Sequence, residues 1–264
     1  MPLTLPFPSI DPVLVEFGPL VIRWYALAYV GGLLIGWRYL LRLAEGEPKV
    51  MERQDVDDFL LWATLGIILG GRLGYVLFYN AEYFLSRPLE IFAMWRGGMS
   101  FHGGLLGVGA AIVLFSRRRR LNLLGVCDLI ALVAPIGLFF GRIANFINGE
   151  LFGRATDVPW AMVFPRGGPL PRHPSQLYEA ALEGLVLFLI LLAIDRLTGA
   201  RARHGFLIGV FLTGYGAFRS FVEFFREPDA HLGFLVAGAT MGQILSLPLL
   251  ALGLYFIAAA VRRP

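Results

Sequence analysis

Long apolar stretches alternate with short polar segments along the whole chain, and this pattern predicts a series of membrane-spanning helices. Each stretch approaches the roughly 20 apolar residues that a helix needs to cross a bilayer. We place seven spans, near residues 18–40, 59–79, 99–116, 124–141, 177–195, 206–225 and 241–260. The predicted fold class is all-α: a polytopic integral membrane protein with about seven transmembrane helices. We expect one membrane-embedded domain over residues 1–264, with residues 142–175 forming a small extra-cytoplasmic cap.

Composition supports a membrane protein. Hydrophobic residues make up 57% of the 264 positions and charged residues 16%, whereas a soluble domain averages about 25% charged residues. The net charge of +4 therefore concerns topology and lipid headgroups, and we expect no nucleic-acid partner. The single cysteine, Cys127, excludes an internal disulfide and is interpreted as a small packing residue.

Basic residues concentrate in segments that fall on one side of the predicted spans. The positive-inside rule makes that side cytoplasmic. These segments are "RYLLRLAEGEPKVMER", "RRRR" at 117–120, "DRLTGARARH" and "VRRP". Seven spans then leave the N-terminus outside and the C-terminus in the cytoplasm. No basic residue precedes Arg23, so the N-terminal stretch does not have the pattern of a signal peptide.

Topology does not explain a second set of arginines, which lie on or near the outer side. Charged groups at membrane depth face the protein interior or a water-filled cavity and are functional by default. Arginine is also the side chain best suited to bidentate phosphate binding. The set is Arg72, Arg96, Arg142, Arg154, Arg166, Arg172, Arg219 and Arg226.

Glycines at four-residue steps predict close helix packing, because small-xxx-small patterns let backbones approach in lipid. The steps are Gly66, Gly70 and Gly74; Gly103 and Gly107; and Gly205 and Gly209.

In "YGAFRSFVEFFREPD", polar residues recur at helical spacing. Tyr215, Arg219, Glu223 and Arg226 would share one face of a helix that points away from lipid. A salt bridge between Glu223 and its flanking arginines is the structural interpretation of Glu223 and Arg226. Because Glu223 already has Arg226, Arg219 is left for a functional role.

Two further polar segments carry candidate chemistry. In "GRIANFINGE", Arg142, Asn145 and Asn148 follow one another at three-residue steps, although a capped helix end is the structural alternative. In "GGMSFHGG", His102 lies among glycines that would leave room for a ligand.

Two other classes of protein remain open from these residues. A transporter for an anionic solute would use Arg142 and Arg219 as a midplane site, but it predicts an inverted repeat that the sequence lacks. An intramembrane protease would need a G-x-S-x-G elbow or an H-E-x-x-H motif, and both are absent. The four histidines are well separated, so we expect no metal and no cofactor.

The chain resembles the bacterial phosphatidylglycerol–prolipoprotein diacylglyceryl transferases over essentially its whole length. The resemblance rests on "RWYALAY", "GGRLGYVLFYN", "WRGGMSFHGG", "GRIANFINGELFG", "LPRHPSQLYE" and "GYGAFRSFVEFFREPDA", in the expected order. It implies an enzyme of the bacterial inner membrane that has seven spans and an outside N-terminus. The implied reaction moves the diacylglyceryl group of phosphatidylglycerol to the lipobox cysteine of a preprolipoprotein signal peptide, with release of glycerol 1-phosphate.

The resemblance also implies roles for individual residues. Matching motif positions makes Arg142 and Arg219 the phosphate-binding pair and places Tyr25 and His102 near the reacting centre, with His102 as a hypothetical base. The phosphatidylglycerol-binding set would be Arg142, Asn145, Glu150, Gly153, Tyr215, Arg219, Glu223 and Arg226.

Overall fold

The computed structural model describes residues 5–8, 10–18, 20–228, 233, 235 and 238–262. The side chain of Arg96, one of the predicted outer arginines, lies outside the described part of the chain, as do the last two residues of "VRRP". The chain forms two compact units. One contains residues up to 39 and from 128 onward, and the other contains residues 40–127.

Helices dominate the described residues and confirm the predicted helical class. Every predicted span overlaps a long helix, and α3 is a short addition. The helices are α1 (Trp24–Ala44), α2 (Arg53–Tyr79), α3 (Ala81–Ser86), α4 (Phe101–Arg119), α5 (Leu123–Ile147), α6 (Ser175–Thr198), α7 (Phe206–Val222) and α8 (Met241–Arg262). Short 3₁₀ turns occupy Pro88–Phe92, Met94–Arg96 and Ala200–Ala202.

Four of these helices are long and apolar enough to cross a membrane: α2, α5, α6 and α8. Helix α7 is apolar but shorter, with 17 residues. Helix α4 has three arginines in its last turn. The chain is therefore polytopic, while the number of seven crossings stays a prediction.

The first predicted span begins too early. Residues Val13–Phe17 (β1) and Leu20–Arg23 (β2) form an antiparallel hairpin, with Val15 opposite Ile22 and Glu16 opposite Val21. Gly18 has φ of +56° in the connecting turn, a conformation that glycine adopts without strain. Apolar residues that the sequence assigned to a helix therefore pair as strands, and α1 begins only at Trp24.

In the unit of residues 40–127, α2 and α4 pack closely through glycines, as the sequence predicted. A Cβ added at Gly70 would lie 2.7 Å from Gly107 Cα, and one at Gly74 would lie 2.7 Å from Gly103 Cα. Real Cβ atoms do not approach this closely, so any larger residue would push the two helices apart.

In the other unit, α7 packs on α8, and Asp128 of α5 caps the start of α7. A Cβ at Gly209 would lie 2.8 Å from the Gly253 carbonyl oxygen, so these helices also need glycine at their contact. The buried carboxylate of Asp128 accepts hydrogen bonds from the backbone N–H groups of Gly205 (2.6 Å) and Ile208 (2.8 Å). Asp128 thereby satisfies free donors at the start of the helix that carries Arg219.

Candidate functional site

A buried network of arginines and glutamates lies in the unit that contains α5, α6 and α7. Arg142 comes from α5, Glu179 and Glu183 from α6, and Arg219 from α7. Both glutamates are fully buried in otherwise apolar surroundings. A buried charge is costly unless it is paired, so these helices are held in a fixed arrangement around their ionic contacts.

One oxygen atom lies at the centre of this network. Glu179 Oε1 is 2.8 Å from Arg219 Nη1, 3.2 Å from Arg142 Nη2 and 3.3 Å from Arg226 Nη1. Three guanidinium groups therefore converge on a single anionic oxygen. The two arginines that the sequence singled out as a phosphate-binding pair are brought together, by a glutamate that the sequence analysis missed.

Glu183, the second glutamate of α6, has a longer ionic contact than Glu179. Glu183 Oε2 accepts a long hydrogen bond of 3.4 Å from Arg142 Nη2, longer than the usual 2.7–3.2 Å. Residues Ala180–Val186 form a π-helical segment within α6, a feature that is frequent at functional sites. The signal for both residues was present in "LYEAALEGLV", where two glutamates one turn apart interrupt an apolar helix.

The predicted polar stripe needs correction. Helix α7 ends at Val222. Glu223 caps it with helical backbone angles, whereas Arg226 lies beyond the turn that follows and bridges to Gly153. Glu223 Oε2 is 2.7 Å from Arg219 Nη2. The argument that Glu223 already has Arg226 and leaves Arg219 over is therefore wrong, because Arg219 itself contacts two carboxylates.

A second polar corner follows Arg142 along the chain. The side-chain amides of Asn145 and Asn148 both donate to Glu150 Oε1, at 2.9 and 3.3 Å, and the Gln176 amide donates to the Glu150 backbone carbonyl at 2.6 Å. This local network holds the chain at the end of α5, where a plain helix cap was the alternative prediction. It adds amide and carboxylate groups beside the cluster of arginines and glutamates.

Two tyrosines of the predicted site are close to these groups. The Tyr25 hydroxyl lies 3.1 Å from the Tyr29 hydroxyl and interacts electrostatically with Glu150 and Arg142. Tyr215 interacts with Glu183 and with the arginines of the network. Both tyrosines therefore lie near the arginine pair.

The segment between α5 and α6 supports the site from one side. Arg154 donates to the backbone carbonyls of Arg226 (2.9 Å) and Glu223 (3.1 Å). Gly153 forms a β-bridge with Arg226, and a Cβ there would lie 2.6 Å from His173 Cβ. Arg154 therefore holds the backbone that carries Glu223 and Arg226. Gly153 acts through close packing.

Helix α8 contributes a residue that the sequence did not mark. A Cβ at Gly242 would lie 2.5 Å from Glu223 Oε2 and 2.9 Å from Arg219 Nη2. Glycine at this position lets the Arg219–Glu223 pair lie against the helix backbone. Only the folded structure reveals this requirement.

His102 and Arg72 belong to the other unit. His102 is the second residue of α4 and has an exposed side chain, in edge contact with Phe101. Some of the glycines around it also have structural roles. Gly103 packs on α2. Gly97 and Gly98 have positive φ angles, and their carbonyls accept hydrogen bonds from Arg72.

The helices and the buried ionic cluster together define a polytopic membrane protein with a cluster of arginines and glutamates between three of its helices. Sequence comparisons agree with this class and give its family. Residues 12–259 match the prolipoprotein diacylglyceryl transferase family, and the chain belongs to that family of membrane enzymes.

Close relatives extend over the full length. The phosphatidylglycerol–prolipoprotein diacylglyceryl transferase of Rhodospirillum rubrum is 66% identical over 260 residues, which covers 98% of this chain and 95% of that protein. Those of Paramagnetospirillum magneticum and Azospirillum brasilense are 63% and 60% identical and cover 100% and 99% of this chain, each over 98% of its own length. The chain is thus a membrane transferase of lipoprotein biosynthesis.

Proposed function

We propose that this chain transfers the diacylglyceryl group of phosphatidylglycerol to the cysteine thiol of a prolipoprotein. The carbon–oxygen bond between the lipid glycerol and the phosphate breaks, a thioether forms, and glycerol 1-phosphate leaves. Full-length similarity to enzymes with this name supports the reaction. The acceptor nucleophile belongs to the substrate, so the enzyme needs no serine or cysteine nucleophile of its own.

The observation that carries the proposal is the convergence of Arg142 and Arg219 on one carboxylate oxygen. That oxygen occupies a position suited to an anionic oxygen of the lipid phosphate. Among the described residues, Arg142 forms its contacts through Nη2 alone, which leaves Nε and Nη1 to bind phosphate. Fixed guanidinium groups would stabilise the charge that develops on the departing phosphate.

The other residues have supporting roles in this proposal. Asn145 and Glu150 would bind the glycerol hydroxyls of the headgroup, and Tyr25 would stand beside the reacting carbon. A free thiol has a pKa of about 8.5, so most of it is protonated at neutral pH. His102 would act as the base that forms the thiolate, unless the arginine field lowers the thiol pKa unaided.

We further propose that the chain works as a single membrane-embedded domain in the bacterial inner membrane. Its partners would be phosphatidylglycerol and preprolipoprotein signal peptides with a lipobox cysteine. Basic segments such as residues 117–120 support a cytoplasmic C-terminus and an outside N-terminus. Cysteine-accessibility labelling tests this topology: a cysteine introduced at Arg118 should resist an impermeant reagent in intact cells, and modification there would contradict it.

Mass spectrometry tests the reaction directly. The purified protein is incubated with phosphatidylglycerol and a synthetic lipobox peptide, and we expect a diacylglyceryl mass increment on the peptide cysteine. A peptide with serine in place of that cysteine is the matched control. An unmodified cysteine peptide, with a folded protein and both substrates present, would contradict the proposed function.

A further inference from the structure

The ionic cluster already contains as many carboxylates as guanidinium groups before any lipid binds. Arg142 and Arg219 contact three carboxylates: Glu179, Glu183 and Glu223. Arg226 adds a third positive charge through its contact with Glu179. The described members of the cluster therefore carry three positive and three negative formal charges.

A phosphodiester that enters this cluster brings a further negative charge. In a buried, low-dielectric setting, uncompensated charge is costly, and it is usually removed by neutralising a titratable group. Arginine does not give up or gain a proton in proteins. A carboxylate of the cluster is therefore the group that can restore the balance.

The geometry distinguishes Glu183 from the other two. Glu179 Oε1 has three arginine contacts, and Glu223 has a short contact of 2.7 Å with Arg219. Glu183 has one long contact of 3.4 Å, with Arg142. Binding of phosphate to Arg142 would weaken that contact further, because both anions compete for one guanidinium group.

The surroundings of Glu183 also favour a proton. Glu183 Oε1 and Glu179 Oε2 are buried, and neither has a hydrogen-bond partner among the described residues. The two glutamates are about one helical turn apart, and a protonated carboxyl group would supply a donor where only acceptors exist. The groups that face Glu183 are Glu179 on its own helix, Arg142 on α5, and Tyr215 and Arg219 on α7.

We propose that Glu183 takes up a proton when the site binds the phosphodiester of an anionic lipid, so that lipid and proton bind together. This inference rests on the proposed function, because it takes phosphatidylglycerol as the ligand. Glu183 is then a positioning residue: it holds Arg142 in the empty site and releases it as a neutral acid when phosphate arrives. The uptake needs no reactant beyond a proton from water.

Calorimetry measures this proton. Dioctanoyl phosphatidylglycerol is titrated into the full chain in detergent, in two buffers of equal pH and different ionisation enthalpy. We expect uptake of about one proton per lipid bound by the unaltered chain, and about none by Glu183→Gln. Dioctanoyl phosphatidylcholine, which has no net charge, is the ligand control.

A control variant tests whether the effect belongs to Glu183. Asp195→Asn removes another buried carboxylate of α6, which pairs with Arg201 at 2.6 Å. It should keep the proton uptake of the unaltered chain. Lipid binding without proton uptake, or uptake that persists in Glu183→Gln, would overturn the inference and leave the proposed function standing. Failure of the unaltered chain to bind phosphatidylglycerol would contradict both.

If Glu183→Gln does not fold, the lipid affinity of the unaltered chain, measured over a series of pH values, tests the same inference. Linkage to one proton weakens lipid binding by up to about tenfold for each pH unit on the alkaline side of the transition. A lipid affinity that stays constant over that range would overturn the inference. Phosphatidylglycerol keeps its charge throughout, so the lipid itself does not produce the trend.

Discussion

Arg72 and Arg142 are both arginines in apolar helices, yet their surroundings differ in kind. All three nitrogens of the Arg72 guanidinium donate to backbone carbonyls, which belong to Glu90, Ile91, Ala93, Gly97 and Gly98. Arg142 contacts carboxylates of Glu179 and Glu183 through one nitrogen. Arg72 has no donor left over among the described residues, whereas Arg142 has two unused nitrogens.

This difference separates a structural arginine from the one that we propose binds phosphate. Carbonyl oxygens cannot move away without unfolding the segment that carries them, so Arg72 fixes residues 90–98 against α2. A carboxylate side chain can be displaced or neutralised by an incoming anion. Charge at membrane depth was functional by default in the sequence analysis, and Arg72 shows that the partner decides the role.

The largest expected effect is on folding, at Arg72. Arg72→Met should lower the free energy of unfolding by at least about 3 kcal/mol, because several carbonyls each lose a charge-assisted hydrogen bond worth about 1.5–3 kcal/mol. Thermal inactivation in detergent would measure the loss. Unchanged stability would contradict the structural role of Arg72.

His102 lies in the same unit as Arg72, but its substitution should affect chemistry alone. General-base catalysis contributes about 10²–10⁴-fold, so His102→Gln should lower turnover by an amount in that range. Its exposed side chain predicts unchanged thermal stability and lipid affinity. Near-normal turnover across neutral pH would show that the electropositive site activates the thiol instead.

The conservative changes Arg142→Lys and Arg219→Lys test the proposed phosphate binding by these two arginines. Lysine keeps the charge but loses the planar fork that matches phosphate oxygens. We expect each variant to lose at least about tenfold in turnover on phosphatidylglycerol, equivalent to about 1.4 kcal/mol in the transition state. Full activity in both folded variants would contradict bidentate phosphate binding.

Arg154 shares features of the structural arginine and of the proposed phosphate-binding pair. It binds carbonyls, as Arg72 does, but those carbonyls belong to Glu223 and Arg226 at the site. Arg154→Lys should cost about 1 kcal/mol of stability through lost hydrogen bonds, with a small drop in turnover. The exposed Arg166 is the matched control, and Arg166→Lys should change neither quantity. Equal losses at both positions would indicate a diffuse basic surface that merely recruits anionic lipid.

The sequence by itself determined the helical architecture and the arginine pair. A run of apolar residues specifies a spanning helix locally, so the positions of α2, α5, α6 and α8 followed from hydropathy. Glycine steps such as Gly70 and Gly74 predicted the α2–α4 contact for the same reason. The family resemblance then singled out Arg142 and Arg219.

Only the tertiary structure decided which charges meet. Glu183 lies 41 residues from Arg142 along the chain, and Glu179 lies 40 residues from Arg219. No local spacing relates such positions. Local spacing did relate Arg219 to Glu223 at i, i+4, and that ion pair forms, but the sequence argument gave Glu223 to Arg226 instead. Partner choice depends on how α5, α6 and α7 pack, because a buried charge accepts whichever opposite group the folded helices bring within reach.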